Sequence, residues 1–444
     1  MNKRLIIGLI GLVGLVSGIQ AQNGFNMPYS QFGVGSSGLP YNVPSIARMG
    51  GVYYTRSGNN YINPFNPASY GNIEMESFIF DMGIQIEMST LRKGEKSAYD
   101  ADGNLGYLAI GLPLTRWWKL ACGLMPYSTT EYEAVHTTTA PGIGAVKTIY
   151  DGTGGVSHSF IGTAFNIPWI GGQGSSLQLG ANLNYLVGDI QRTMSYTFPG
   201  NDTTYFMNSR RLKNTRIRNV LFDFGMQMRQ PLGKGYTLGV SLVYKPYRDM
   251  KVDDEAFVYT YHASDESLVD TVFPTSSSDA VFESSLRQAH TFGLGLSLES
   301  NRHWLVALDA TWAGWAGLLY EENADYSIFG GSSQRSAPYS RYALGFERTG
   351  NMDAATYWGR MSWSAGAHLT KGELCLAIDG IERIVDEWGV GAGITFPMRK
   401  GRSLLTLSVA YSSLGSADLL QRNTVSIGIA VSSCERWFAK RQYN

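Results

Sequence analysis

From Ser77 to Leu91 the chain alternates without interruption. Phe78, Phe80, Met82, Ile84, Ile86 and Met88 fall on one side; Ile79, Asp81, Gly83, Gln85, Glu87 and Ser89 fall on the other. A period of two defines a strand with two unlike faces. Its length is the constraint, because strands of soluble sandwiches usually run about 5 to 6 residues. The alternation returns at Val220, Phe222, Phe224, Met226 and Met228 against Asp223, Gln227 and Arg229, and again at Tyr236, Leu238, Val240, Leu242 and Tyr244.

The connections alternate in length. Polar stretches at Arg92 to Asn104, Thr129 to Gly155, Phe198 to Thr215, Lys251 to Glu283 and Glu321 to Ala337 are expected as long loops. Between them lie short turns at Leu114 to Arg116, Gly171 to Ser175, Pro231 to Gly235 and Ser300 to Arg302. Outer-membrane barrels are built as such a meander, with short turns at one end and long loops at the other. Met361, Trp363, Ala365, Ala367 and Leu369 keep one parity, whereas Leu374, Leu376 and Ile378 keep the other. A one-residue bulge at Lys371-Gly372-Glu373 accounts for the flip and leaves about fourteen strands, an even number as single-chain bacterial barrels require. The expected fold is all-β: a transmembrane antiparallel up-and-down barrel of about fourteen strands.

Composition agrees. Gly (52), Tyr (26) and Trp (10) are abundant while charged residues make up only 16%, and no stretch reaches the ~20 apolar residues of a membrane helix. Trp117, Trp118, Trp169, Trp304 and Trp437 fall at strand ends beside short turns or the C-terminus, as a periplasmic aromatic girdle would. Lys plus Arg equals Asp plus Glu, 36 each, so no net field recruits nucleic acid.

The residues offer little chemistry. Cys122, Cys375 and Cys434 are scattered and odd in number, which reads as small wall residues and not as a disulfide or metal framework. The six histidines never pair at zinc-site spacing, and the acidic run Asp253, Asp254, Glu255, Asp265, Glu266 and Asp270 lacks the calcium-loop pattern. His158 and Ser159 are neighbours on a strand, so they point to opposite faces and form no dyad. The reading is a non-enzyme with no cofactor, no metal and no catalytic residue. The inward polar residues Asp81, Gln85, Glu87, Asp223, Gln227 and Arg229 indicate a hydrated or internally packed lumen.

Three segments follow. Residues 1–21 read as a secretory signal: Met-Asn-Lys-Arg, an apolar run from Leu5 to Val16, and Ala21 at a cleavage point. Residues 77–444 form the barrel. Residues 22–76 lie in front of it and are expected to form a compact hatch. An exported barrel belongs in a Gram-negative outer membrane.

The hatch segment contains Ser45-Ile46-Ala47-Arg48-Met49-Gly50-Gly51-Val52 and then Ile62-Asn63-Pro64-Phe65-Asn66-Pro67-Ala68-Ser69. The prolines disfavour helix before them, and Asn63 and Asn66 can cap turns. These strings resemble the N-terminal plug of the FadL-like outer-membrane transporters of hydrophobic compounds, which have an Ala-Arg-x-Met-Gly-Gly-like string followed by Asn-Pro-Ala. The C-terminal strands from Gly391 to Tyr411 and the closing Arg436 to Arg441 also look like that family, whereas between Gly142 and Tyr357 only the barrel pattern supports it. The resemblance makes Asn66, Pro67 and Ala68 the hatch motif; the alternative is an ordinary turn leading into the first strand. It also implies a kink in the third strand that opens a lateral gap. Pro126 lies in the corresponding run, though the strand could instead have ended there.

The resemblance implies passive uptake of a hydrophobic small molecule such as a fatty acid, with lateral release into outer-membrane lipid. The family's ligand contacts form no readable motif, so no ligand-binding residue is assigned. The alternative is a non-transporting barrel that docks an envelope protein partner in an outer-membrane secretion or assembly complex. A transporter needs a continuous apolar pocket; a scaffold can have a filled lumen.

Overall fold

The computed structural model describes residues 27–36, 43–167, 174–198, 206–262, 268–272, 281–322, 335–378, 380–398, 402–416 and 419–436. The leader at 1–21, Trp169 and Trp437 lie outside the described residues.

Antiparallel strands follow one another along the chain. The first are β1 (Ser77–Lys93), β2 (Lys96–Pro113), β3 (Trp118–Thr129), β4 (Tyr132–Ala140), β5 (Gly144–Ile167), β6 (Ser176–Thr197) and β7 (Asn208–Gly233). The middle supplies β8 (Tyr236–Lys245), β9 (Arg248–Tyr261), β10 (Leu268–Val272), β11 (Val281–Gln288), β12 (Thr291–Ser300), β13 (Trp304–Ala313) and β14 (Leu318–Glu321). The last are β15 (Tyr339–Arg348), β16 (Ser362–Ile378), β17 (Ile381–Met398), β18 (Ser403–Leu414) and β19 (Gln421–Arg436).

One sheet holds them all, and β1 pairs with β19 from Ser77–Arg436 to Arg92–Gln421, which closes it. Fourteen strands make the wall, in the order β1, β2, β3, β5, β6, β7, β8, β12, β13, β15, β16, β17, β18, β19. The remaining strands stand above it. β4 continues β3 past Thr130 and Glu131, and β9 continues β8 past Pro246 and Tyr247, where proline cannot donate to a ladder. β11 runs down into β12, while β14 pairs with β11 above β13.

Four of the expected long loops are largely strands where they are described, and Glu321 to Ala337 lies mostly outside the described residues. The β5–β6 ladder runs from Lys147–Thr197 to Ile167–Leu177, and the β6–β7 ladder from Ser176–Arg229 to Tyr196–Ser209. About 9 to 11 residues suffice to cross a bilayer, so these ladders rise well beyond one. Thr129 to Gly155 therefore holds β4 and the upper part of β5, and Lys251 to Glu283 holds most of β9. Above the membrane the outer face of a strand meets water and the buried inner face is partly polar, as at Lys213, Thr215 and Asp254, so no clean apolar period marks it. The backbone pairs all the same.

β16 is one strand, but its irregularity differs from the expected one-residue bulge. Between Thr370 and Leu374 the partner advances only from Glu387 to Val385, so two extra residues are accommodated and parity is kept. Leu374 and Leu376 consequently face inward, against Tyr29, Val385 and Leu414. The apolar side changes because the inner surface is covered there.

The two faces of the wall are inverted relative to a soluble protein. Asp81, Gln85 and Gln227 are buried, while Ile161, Leu183, Phe222, Phe224, Leu344, Phe346 and Val409 are exposed on the outside. That belt suits a membrane-spanning barrel, in which lipid covers the outer face. Among the described residues no helix is long and apolar enough to cross a membrane, which does not bear on strands. At the short-turn end Trp117, Trp118 and Phe165 stack, and Trp304 meets Tyr236 at 6.0 Å. A second aromatic band, not anticipated, lies nearer the other end: Trp312 beside Tyr342 and Trp388 beside Tyr411.

Candidate functional site: an anchored segment and a broken ladder

Residues 43–73 touch strands around the whole circumference. A short helix, Pro44–Ala47, packs against β1, β17, β18 and β19, and a 3-10 helix, Pro67–Asn72, packs against β3, β5, β6 and β7. The local reason lies in the Asn-Pro pairs. Asn66 caps the second helix: its Oδ1 accepts from Ala68 N at 3.1 Å while its Nδ2 donates to Tyr54 O at 2.7 Å. Asn63 ties the preceding coil, donating to the carbonyls of Tyr53 and Arg56.

Both sequence strings rest on paired wall glycines. Gly180 of β6 and Gly225 of β7 are register partners, and a Cβ on them would lie 2.4 Å from Ala68 N and 2.3 Å from Asn66 Oδ1. Gly345 of β15 and Gly366 of β16 are likewise partners, and a Cβ there would lie 2.9 and 2.2 Å from Met49 O. Asn66-Pro67-Ala68 and Ala47-Arg48-Met49-Gly50 therefore seat where the wall has no side chains. The glycines were visible in the sequence, but their pairing was not.

Polar wall residues fasten the segment between these seats. Asp309 accepts from Tyr53 N and Tyr54 N at 2.5 and 2.6 Å. Asp81 accepts from Ile62 N, Tyr107 and Ser432 at 3.0, 2.7 and 2.7 Å. Glu347 receives Arg48 at 3.0 Å and also pairs with Arg56, all three being buried. Asn182 donates to Pro64 O at 3.0 Å and accepts from Tyr70, whose phenol burial holds above its ordinary value and therefore protonated. Of the expected inward polar residues, Asp81 and Gln227 bond the segment directly, Asp223 accepts from Asn184, Gln85 donates to Glu87, and Arg229 pairs with Glu299. The anchors Asp309, Glu347 and Arg341, which donates to Gly51 O at 2.9 Å, were not singled out in the sequence.

Pro126 lies within β3, beside a break in the wall. The β2–β3 ladder ends at Leu108–Leu124, and the β3–β5 register shifts between Pro126 and Ser128. Higher up, Ser36 occupies the edge that β2 has left: Ser36 N donates to Thr129 O at 2.9 Å and Thr129 N to Ser36 O at 3.0 Å. A cavity of about 290 Å³ extends from this break toward the mouth. Tyr54, Phe65, Met125, Pro126, Tyr127 and Leu374 line it, together with Glu87, Asp223, Lys245, Arg341, Glu387 and Arg422.

His158 bonds Asn184 at 2.9 Å. Cys122, Cys375 and Cys434 are free thiols. Among the described residues no group of three or more His, Cys, Asp or Glu is placed to hold a metal.

The fold is that of known channels. "Crystal structure of the Ralstonia pickettii toluene transporter TbuX" superposes with a TM-score of 0.53 at 11% identity, covering 88% of this chain and 97% of that one. "CymD monoaromatic hydrocarbon channel" gives 0.51 at 12% identity, covering 89% and 98%. At such identities the likeness is one of fold, and it is the fold that the FadL-like resemblance implied. No curated protein matches the sequence. The BamG family model matches residues 1–444, the whole sequence, so the chain belongs to the BamG family.

Proposed function

We propose that this barrel is a docking subunit of an envelope secretion or assembly complex in the outer membrane, and not a conduit. One observation carries the reading: among the described residues, the cavity in the lumen is lined by charged groups as well as by apolar side chains. The 290 Å³ cavity is near the lower limit for a ligand pocket and is lined by Glu87, Asp223, Lys245, Arg341, Glu387 and Arg422. Moving an apolar solute past these charges would cost them hydration. The segment 43–73 acts in this reading as a fixed hatch, held by the Arg48–Glu347–Arg56 cluster. The tall β5–β6–β7 ladders supply a rigid platform outside the membrane for the partner to hold.

The test is the state of the protein in its own membrane. Extraction in mild detergent, followed by native electrophoresis and cross-linking mass spectrometry, should find the barrel in a larger assembly with defined protein neighbours. A monomeric barrel, together with loss of hydrophobic-solute uptake on deletion, would overturn the reading.

A specific observation favours a second reading, passive uptake of a hydrophobic molecule with lateral release into lipid. The wall ladder is interrupted beside Pro126, and the cavity reaches that interruption. In that reading a solute would leave sideways between β2 and β3, and Pro126 would keep the seam open because it lacks a donor. Extraction of bound lipid from the purified protein separates the two.

A further inference from the structure

We propose that the connection between β15 and β16, residues 349–361, is a hook seated in lipid, and that Arg348 beside it takes the phosphate of an anionic phospholipid in the leaflet at the short-turn end. Such an anchor serves a docking subunit and a channel alike. Two other connections at this end cover only 234–235 and 301–303. The one at 349–361 is longer and has a structure of its own.

Its shape is fixed by its own backbone. Asn351 N donates to Gly359 O at 3.0 Å, Gly350 N to Ser362 Oγ at 3.0 Å and Gly359 N to Thr356 Oγ1 at 3.3 Å, which closes the segment around one helical turn at Tyr357–Arg360. Thr349 N donates to His303 O at 2.9 Å and Tyr357 Oη to Pro397 O at 3.4 Å, so the segment is tied to β17 and to the turn before β13. Held in this way, it leaves Met352 and Tyr357 exposed and Trp358 68% exposed. Water is a poor solvent for such a group of apolar side chains.

The wall beside the hook identifies what covers it. Trp358 stacks on Trp363 of β16, with ring centroids 6.2 Å apart and planes 17° apart. Register partners in a sheet share a face. Trp304, Arg348 and Trp363 make one outward row across β13, β15 and β16; the next row is Val306, Phe346 and Ala365, and the one after it Leu308, Leu344 and Ala367. Val306, Phe346, Leu308 and Leu344 are all exposed on the lipid side. Trp358 thus extends the apolar belt at its lower rim, the depth at which Trp and Tyr gather in membranes.

Charge at this rim selects the headgroup. Among the described residues the arginines in ion pairs are Arg48, Arg56, Arg216, Arg229 and Arg287, and the exposed Arg348 is not one of them. Arg302 lies exposed in the adjoining turn, and Arg360 sits over the Tyr357 ring at 5.4 Å. Asp353 is the one acidic residue of 349–361. The rim is therefore basic, and an arginine whose stem lies along apolar wall brings its guanidinium to phosphate depth.

The test uses the purified full chain labelled with fluorotryptophan in nanodiscs of phosphatidylcholine, with and without phosphatidylglycerol. Trp358→Phe and Trp363→Phe identify the two fluorine signals. A phosphatidylcholine that carries a nitroxide high on its acyl chain should broaden both signals to a similar degree, and a gadolinium chelate in the water should leave Trp358 as sharp as Trp363. Broadening of Trp358 by the chelate, or none by the spin-labelled lipid, overturns the hook. In native mass spectrometry Arg348→Gln should retain about fivefold less phosphatidylglycerol, relative to phosphatidylcholine, than the parent, whereas Arg348→Lys should retain as much as the parent. Equal retention by Arg348→Gln and the parent overturns the phosphate site.

Discussion

Gly180 and Gly225 face one another across the β6–β7 ladder, and the two together make the bare patch of wall on which Asn66-Pro67-Ala68 rests. The motif fits because the wall there is backbone alone. Gly225→Val would drive a branched side chain into Asn66 and Pro67, an overpacking that costs about 1 to 3 kcal/mol. The barrel should still form, but the segment should shift from its seat. Single-channel conductance of the variant should rise above that of the parent, and deletion of residues 23–71 should raise it further. Unchanged conductance in both would make the segment irrelevant to closure.

The Glu347 carboxylate pairs with two buried guanidinium groups, those of Arg48 and Arg56. Glu347→Ala leaves both charges buried without it, a loss on the order of 3 to 5 kcal/mol. Folded barrels resist detergent and migrate differently until boiled. The temperature at which the folded band disappears should therefore fall. A variant as heat-resistant as the parent would show that the cluster does not hold the segment.

A second buried cluster lies in the tall part of the sheet. Lys213 sits 3.4 Å from Asp254 and also pairs with Glu322, and Tyr320 and Thr215 each donate to Asp254 at 2.6 Å. Lys213→Met strands two carboxylates away from water, again on the order of 3 to 5 kcal/mol. The damage should be local. Hydrogen exchange should quicken over residues 248–261 and stay as in the parent over β1 and β19, whereas uniform exchange changes would mean that the upper sheet and the wall unfold together.

Pro126 distinguishes the two functional readings. Pro126→Val restores a backbone donor beside the interrupted ladder. If solute leaves through the seam, uptake of a hydrophobic compound should drop while the amount of folded barrel stays constant. The docking reading expects uptake to be unaffected by this change and by deletion of the whole protein.

The wall is written in the chain's own pattern. Each transmembrane strand meets lipid on one face and the lumen on the other, so Phe222 and Phe224 against Asp223 and Gln227 write the period of two directly into the chain. The sequence also marked the turns of the inner segment, because Asn66 caps its own helix through a bond that spans only two residues. Contacts between distant residues left no such trace. Asp309 bonds Tyr53 and Tyr54 across more than 250 positions, and a lone aspartate on a strand has the same pattern whether it faces water or clamps a segment. The tall ladders carry no clean period because their buried face is itself partly polar, as at Lys213, Thr215 and Asp254, and the apolar side of β16 changes at Leu374 because of Tyr29, which is far away in sequence. Whether the lumen would be open, apolar or filled with charge was decided only when the closed wall brought Arg48, Arg56 and Glu347 together, since ion pairing depends on separation in space and not along the chain.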